Sequence, residues 1–329
     1  NSDSEKKLKP GDEVIVPALA WSTTIWPLIQ YGLIPVIVDI DINSFNIDPN
    51  EIIKAISPRT KAIMPIHVYG NPCEMDLLID ICKSNNLILI EDCCEALGAF
   101  FNNKEVGSFG EISTFSFYFS HHMTTIEGGI CVTSNNELAE KMRILRAHGW
   151  VREVDNPSIY TEKFPDIDPR FLFVDTGYNL RVSEVQGAFG SIQLKKLPSF
   201  VEARRNNTED WNKKLDRFSE FFDFQVETKN AKSSCFGYPL ICNPNRGVNR
   251  KELVYHLNKS GIETRPIICG NITRQPAMKK YNHRIVGELE NSNLIMDQAF
   301  SFGNHQALNE EARDYLVDQI DRYIQKLDN

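Results

Sequence analysis

Two stretches decide how this chain reads: Glu91-Asp92-Cys-Cys-Glu95-Ala-Leu-Gly98 and Ser116-Phe-Tyr-Phe-Ser-His121-His122-Met-Thr-Thr-Ile-Glu127-Gly128-Gly129. Each begins at the end of an apolar run with β character, at 87–91 and 112–117. Further runs of that kind lie at 13–17, 35–40, 62–68 and 130–133. Helical patterns at 23–31, 49–56, 75–84 and 136–147 alternate with them. Apolar strands spaced by helices predict a mostly parallel sheet covered on both faces, an α/β fold. Ligands bind such sheets beyond the carboxyl ends of the strands. Asp92, Glu95 and His121 all fall just there.

The rest of the chain follows from this frame. Residues 150–176 lack periodicity and are rich in Asp, Pro and aromatics, which predicts a long loop of the kind that often carries function. A long helix is expected from about 182 past 211, with a possible break at Pro198. Beyond it, strands at 237–242 and 262–266 and helices at 250–260 and 310–327 predict a second α/β unit. The expected division is a large domain over 1–200 and a small one over 201–329.

The chain has 329 residues, 42% hydrophobic and 24% charged, with a net charge of −8. It is long enough for two cores. No basic stretch suits a phosphate backbone, so nucleic acid is not an expected partner. No run of about 18 apolar residues occurs, so no membrane span is expected. The eight cysteines show no CxxC or Cys/His spacing, which argues against a structural zinc and for buried, reduced thiols in a cytoplasmic protein.

Taken singly, the candidate residues admit bland readings. Asp92 at a strand end suits a helix cap as well as a buried partner for a cation. A lone histidine such as His121 is commonly structural, and adjacent side chains such as His121 and His122 diverge too far to share a metal. Trp21, in Pro17-Ala-Leu-Ala-Trp21-Ser-Thr-Thr, suits a core. Gly177-Tyr178-Asn179-Leu180-Arg181 suits a turn before a helix. Arg146-Ala-His148-Gly149 carries common helix C-terminal signals.

Together, in this order and spacing, the segments resemble the sugar aminotransferase family of vitamin B6 enzymes, within the fold-type I superfamily. The resemblance runs from Lys9-Pro-Gly-Asp-Glu to about His305. It implies a mostly parallel sheet sandwiched by helices plus a smaller C-terminal domain. It implies that Trp21 stacks on the ring of pyridoxal or pyridoxamine phosphate, that Asp92 and Glu95 hold the ring nitrogen and hydroxyl, and that Ser116 lies near the phosphate. Asn179 would reach the cofactor phosphate of a partner subunit, which implies a homodimer with shared sites. His148, Arg265 and Asn271 would line the substrate cleft.

His121 occupies the position of the lysine that binds the cofactor covalently in this family. Imidazole cannot keep that link but can move a proton, its unperturbed pKa lying near neutrality. The resemblance is therefore closest to the family's branch of 3-dehydratases, which act on nucleotide-linked 4-keto-6-deoxyhexoses in dideoxysugar and O-antigen synthesis. It implies a GDP-linked 4-keto-6-deoxymannose as substrate, His121 as base, and L-glutamate as amino donor. A dehydratase type with an iron–sulfur cluster uses four cysteines. Cys94 matches one of them, and residues 150–180 contain none, so no cluster is expected. The family's phosphate-binding turn lies upstream of Lys9-Pro-Gly-Asp, which predicts that this sequence is a piece of a longer protein. Two other readings stand beside this one. One is an ordinary aminotransferase using a lysine elsewhere, such as Lys104 or Lys141. The other is a cofactor-free pseudoenzyme.

Overall fold

The computed structural model describes residues 7–327, so the outermost residues of both expected domains (1–6 and 328–329) lie outside the described residues. In the first half, β1 (Glu13–Pro17), α1 (Ser22–Gln30), β2 (Ile34–Val38), α2 (Pro49–Ala55), β3 (Thr60–Ile63), α3 (Met75–Ser84) and β4 (Ile88–Asp92) alternate. A short hairpin, β5 (Phe100–Phe101) and β6 (Lys104–Glu105), precedes β7 (Ile112–Ser116), β8 (Gly129–Val132) and α4 (Asn136–Arg146). Then come the single turn α5 (Ser158–Thr161) and α6 (Glu184–Leu215). The remainder contains β9 (Phe222–Phe224), β10 (Ala231–Lys232), β11 (Gly237–Cys242), α7 (Arg250–Lys259), β12 (Thr264–Arg265), β13 (Arg284–Ile285), α8 (Glu290–Gln298), β14 (Ala299–Gly303) and α9 (Glu310–Ile324).

The main sheet has seven strands in the order β13-β2-β1-β3-β4-β7-β8. All neighbours are parallel except β7 and β8. Every residue of β1 is buried, as expected of a parallel strand with helices on both faces. The α/β fold expected from the alternating pattern is the observed one. A smaller antiparallel sheet, β12-β14-β11-β9, packs its own core around Trp211, Phe222, Tyr238 and Phe300.

Three features differ from the sequence reading. Helix α6 runs unbroken through Pro198, because proline forfeits only one ladder bond while its φ remains helical. Its start is fixed by a capping box between Ser183 and Gln186. Residues 150–176 are not featureless; Val151, Val154 and Leu172 form a small core with Ile144. Finally, residues beyond 200 return to the first sheet. Strand β13 pairs with β2 at its edge, and Ile267, Ile272, Met278 and Ile295 share a core with Leu19 and Ile25. The chain is therefore not partitioned between the two sheets at a single point near residue 200.

Candidate active site

Parallel pairing of β4 with β7 sets Asp92 opposite Thr114 and brings the carboxyl ends of both strands side by side. Asp92 is 7% exposed. One carboxylate oxygen accepts from the Cys94 amide at 3.1 Å, the other from the Thr24 hydroxyl at 2.6 Å. Both donors are neutral. A buried anion held only by neutral donors is suited to a cationic N–H partner.

Glu95 follows one turn later and accepts from the Tyr69 amide at 2.8 Å. Burial pushes its carboxyl up to about 7; the Tyr69 amide opposes this and the Asp92 charge adds to it. Tyr69 has φ of 57°, costly for a residue with a Cβ. Its hydroxyl is anchored on Ser301 at 2.6 Å, so the loop is held from both ends.

Behind Asp92 lies Glu91, fully buried. Its oxygens accept from the amides of Gly107, Phe109 and Gly110 at 2.6–2.8 Å and meet His67 Nε2 at 3.3 Å. Burial alone would raise this carboxyl. The hydrogen bond from His67 and the Gly107 and Gly110 amides outweigh it and hold it below the usual range. His67, Glu91 and Cys93 place potential ligand atoms within 4.8 Å of one another. His67 Nδ1 accepts from the Cys73 amide, which leaves Nε2 to donate to Glu91, and that hydrogen bonding accounts for the cluster.

His121 sits on the turn after β7, its ring edge-on to Phe236 with centroids 5.0 Å apart. Its Nδ1 is buried and has no hydrogen-bond partner. Burial pulls its pKa below the ordinary histidine value; the Cys94 and Ser116 backbone and the Asp92 charge oppose, and the Arg204 charge adds to the lowering. His121 thus presents an unengaged nitrogen, with its protonated form disfavoured. His122 differs. Its Nδ1 also lacks a partner, but it is 1% exposed and its Nε2 is pinned to the Ser234 carbonyl at 2.9 Å. Burial brings its pKa down to about 3.

The remaining sequence candidates divide into two groups. Ser116 ends β7, its hydroxyl accepting from the Tyr118 amide at 3.2 Å. Trp21 immediately precedes α1 and is 52% exposed, leaving indole surface free to stack. Asp92 and Ser116 end β4 and β7, Glu95 and His121 follow those strands, and Trp21 is tied to this edge through Thr24, which bonds Asp92. Asn179, His148 and Arg265 are exposed. Arg181 reaches both His148 Nε2, at 3.3 Å, and Asn179 Oδ1, at 3.4 Å. Arg265 pairs with Glu263 at 2.7 Å. Asn271 requires a correction. It is 2% exposed, donates to Asn293, and accepts from Thr273, so its amide is already used within the chain. It pins the turn before Trp21 through its bridge to Leu19. Lys104 donates to the Ser108 carbonyl in the β5–β6 hairpin region and lies over Phe109.

Sequence reading missed Thr24, His67 and Arg204. Thr24 carried one legible signal, its place three residues after Trp21, at the start of the helix expected over 23–31. Arg204 is 3% exposed and donates to the carbonyls of Phe236 and Asn304. Among the described residues no carboxylate forms an ion pair with it. Nothing local in the sequence marked it.

The buried Asp92 carboxylate, the free His121 nitrogen and the exposed Trp21 face fit a planar ring with a protonated nitrogen. The comparisons agree with that geometry. The chain is 42% identical over 313 residues to the GDP-4-keto-6-deoxy-D-mannose 3-dehydratase of Escherichia coli O55:H7, covering 94% of this chain and 80% of that protein. It is 42% identical over 304 residues to the enzyme of that name from Yersinia pseudotuberculosis, covering 91% and 76%. A crystal structure of GDP-4-keto-6-deoxymannose-3-dehydratase with a trapped PLP-glutamate geminal diamine superposes with a TM-score of 0.86 at 40% identity, covering 95% of this chain and 81% of that one. The DegT/DnrJ/EryC1/StrS aminotransferase family model matches residues 4–321, and the chain belongs to that family.

Proposed function

We propose that this protein is a pyridoxamine-phosphate-dependent 3-dehydratase of nucleotide-linked 4-keto-6-deoxyhexoses, with GDP-4-keto-6-deoxymannose as substrate. The observation that carries the reading is His121, a half-buried imidazole whose Nδ1 has no hydrogen-bond partner, at the position where the family has lysine. The 42% identity to enzymes of this name supports the same substrate. When bound, the cofactor supplies an amine for the C-4 ketone and a protonated ring that takes up an electron pair. Asp92 holds that ring nitrogen, and Trp21 covers a ring face. Glu95 faces the ring hydroxyl, and Ser116 binds the phosphate. His121 takes the proton from the carbon beside the amine and delivers a proton to the C-3 hydroxyl, which leaves as water. Burial suits it to this, since an already protonated imidazole accepts nothing. His148 and Arg265 bind the nucleotide sugar, whereas Asn271 acts by fixing the turn that carries Trp21. L-Glutamate is the proposed amino donor, by analogy with the glutamate adduct trapped in the related enzyme.

The active form is proposed to be a cytoplasmic homodimer. Phe171, Leu180, Val182, Val185 and Ile192 are each more than half exposed, on one stretch of chain that also carries Asn179. Exposed apolar surface on that scale marks an interface. No helix among the described residues is long and apolar enough to cross a membrane.

The deciding experiment is the mass of the sugar nucleotide after incubation with pyridoxal phosphate, glutamate and GDP-4-keto-6-deoxymannose. Loss of the C-3 oxygen with release of ammonia is expected. An amine in place of the ketone would make the protein an aminotransferase. His121→Lys is expected to abolish dehydration and to leave the cofactor reducible onto the protein by borohydride; a variant that still dehydrates would remove His121 as the base.

A further inference from the structure

Thr24 lies in the first turn of α1 and is 2% exposed. Its hydroxyl donates to Asp92 Oδ2 at 2.6 Å, across 68 residues of sequence. Trp21 is the N-cap residue of the same helix, three residues earlier, with extended backbone. The backbone ties them too, the Thr24 amide donating to the Trp21 carbonyl at 3.1 Å. The turn is fixed from outside. The Ile272 amide donates to the Ala18 carbonyl at 2.9 Å, and Leu19 bridges to Asn271. One rigid turn thus carries an open aromatic face and a hydroxyl that fixes the carboxylate at the cofactor's edge.

We propose that Thr24 is a positioning residue for the cofactor, holding Asp92 in the rotamer and the charged state that keep the pyridine nitrogen protonated. The proposal rests on the reading of Asp92 as partner of that nitrogen. The physical argument concerns where one proton resides. With two neutral donors on its oxygens, the buried carboxylate is stabilised as an anion, and the proton stays on the ring. Without the Thr24 hydroxyl, Asp92 Oδ2 is an under-solvated acceptor, and the carboxylate competes for the proton. A ring that loses its proton is a poorer electron sink.

The test compares Thr24→Val, which keeps the shape and deletes the donor, with Thr24→Ser, which keeps the donor, and with Asp92→Asn. Each protein is loaded with pyridoxamine phosphate labelled with 15N in the ring. The readouts are the 15N chemical shift of the ring nitrogen and the dissociation constant of the cofactor. The expected result is a 15N resonance moved toward the unprotonated position in Thr24→Val, with affinity weakened about tenfold, the size of one hydrogen bond to a charged group. Thr24→Ser should restore both, and Asp92→Asn should move both further. The 15N position reports only bound cofactor, so partial unfolding of Thr24→Val does not imitate the effect. An unchanged shift in Thr24→Val alongside a changed one in Asp92→Asn overturns the role of Thr24 alone. Unchanged shifts in both overturn the reading of Asp92 on which it stands.

Discussion

At the ends of β4 and β7 the charged side chains are buried and the carboxylates are hydrogen-bonded within the chain, whereas from 171 to 192 large apolar side chains face outward with nothing over them. The first region is a floor complete in one chain: Glu91 alone receives three amides and an imidazole. The second carries Asn179 and, nearby in the fold, His148, both exposed and joined through Arg181. The difference teaches that the groups proposed to act on the ring are held by contacts within one chain, whereas the outer segment would be covered only in the proposed dimer.

Substitutions in the two regions should therefore fail in different ways. The largest loss of stability is expected for Glu91→Ala, which orphans four donors, two of them fully buried. Denaturant unfolding should show a cost of about 3–5 kcal/mol, and a cost below about 1 kcal/mol would mean the floor is not held as described.

Glu95→Gln comes next and depends on pH. The folded-state pKa of about 7 is raised above the unfolded value, so the contribution of Glu95 is fully present below about pH 4.5 and is lost as pH rises through 7. Glutamine does not titrate. Without added cofactor, the variant should gain on the parent protein by about 2–3 kcal/mol between pH 5 and 8. Parallel stability curves across that range would remove the raised pKa.

Asn271→Ala should cost about 1–2 kcal/mol through its lost cap and its bond to Asn293. Because the side chain is internal, KM for the nucleotide sugar should stay within about twofold if the turn holds; a tenfold rise in KM with unchanged kcat would return Asn271 to the substrate site.

The smallest effect on the monomer's fold belongs to Val185→Glu, at an exposed position in α6. Unfolding of the monomer should change by no more than about 0.5 kcal/mol. Sedimentation equilibrium should nevertheless show loss of the proposed dimer. A variant that remained dimeric would place the interface elsewhere.

Much of this was legible in the chain because it rests on local rules. The span of α3 and the strands at 13–17 and 237–242 follow from apolar periodicity and flanking turn residues, and the structure places them at the same residues. The segments with Asp92, Glu95 and His121 were legible as a spacing after strands, and the sheet does bring those residues to one edge. What escaped was non-local. Strand β13 has two residues and no periodicity to detect, and it forms because β2 offers an edge. Asn271 resembled a cleft residue because a sequence does not display which way an amide is turned.

The sequence by itself therefore determined the α/β alternation, the family, and the histidine in the lysine position, since each is carried by residue type and spacing along one strand–turn unit. Only the tertiary structure decided that His121 is half-buried beside Phe236 while His122, its neighbour, is fully buried and bound to the Ser234 carbonyl. It alone showed that Thr24 reaches Asp92. Burial and hydrogen-bond partnership arise from residues more than 60 positions apart being packed together, and no local pattern of apolar and polar residues encodes which of them will meet.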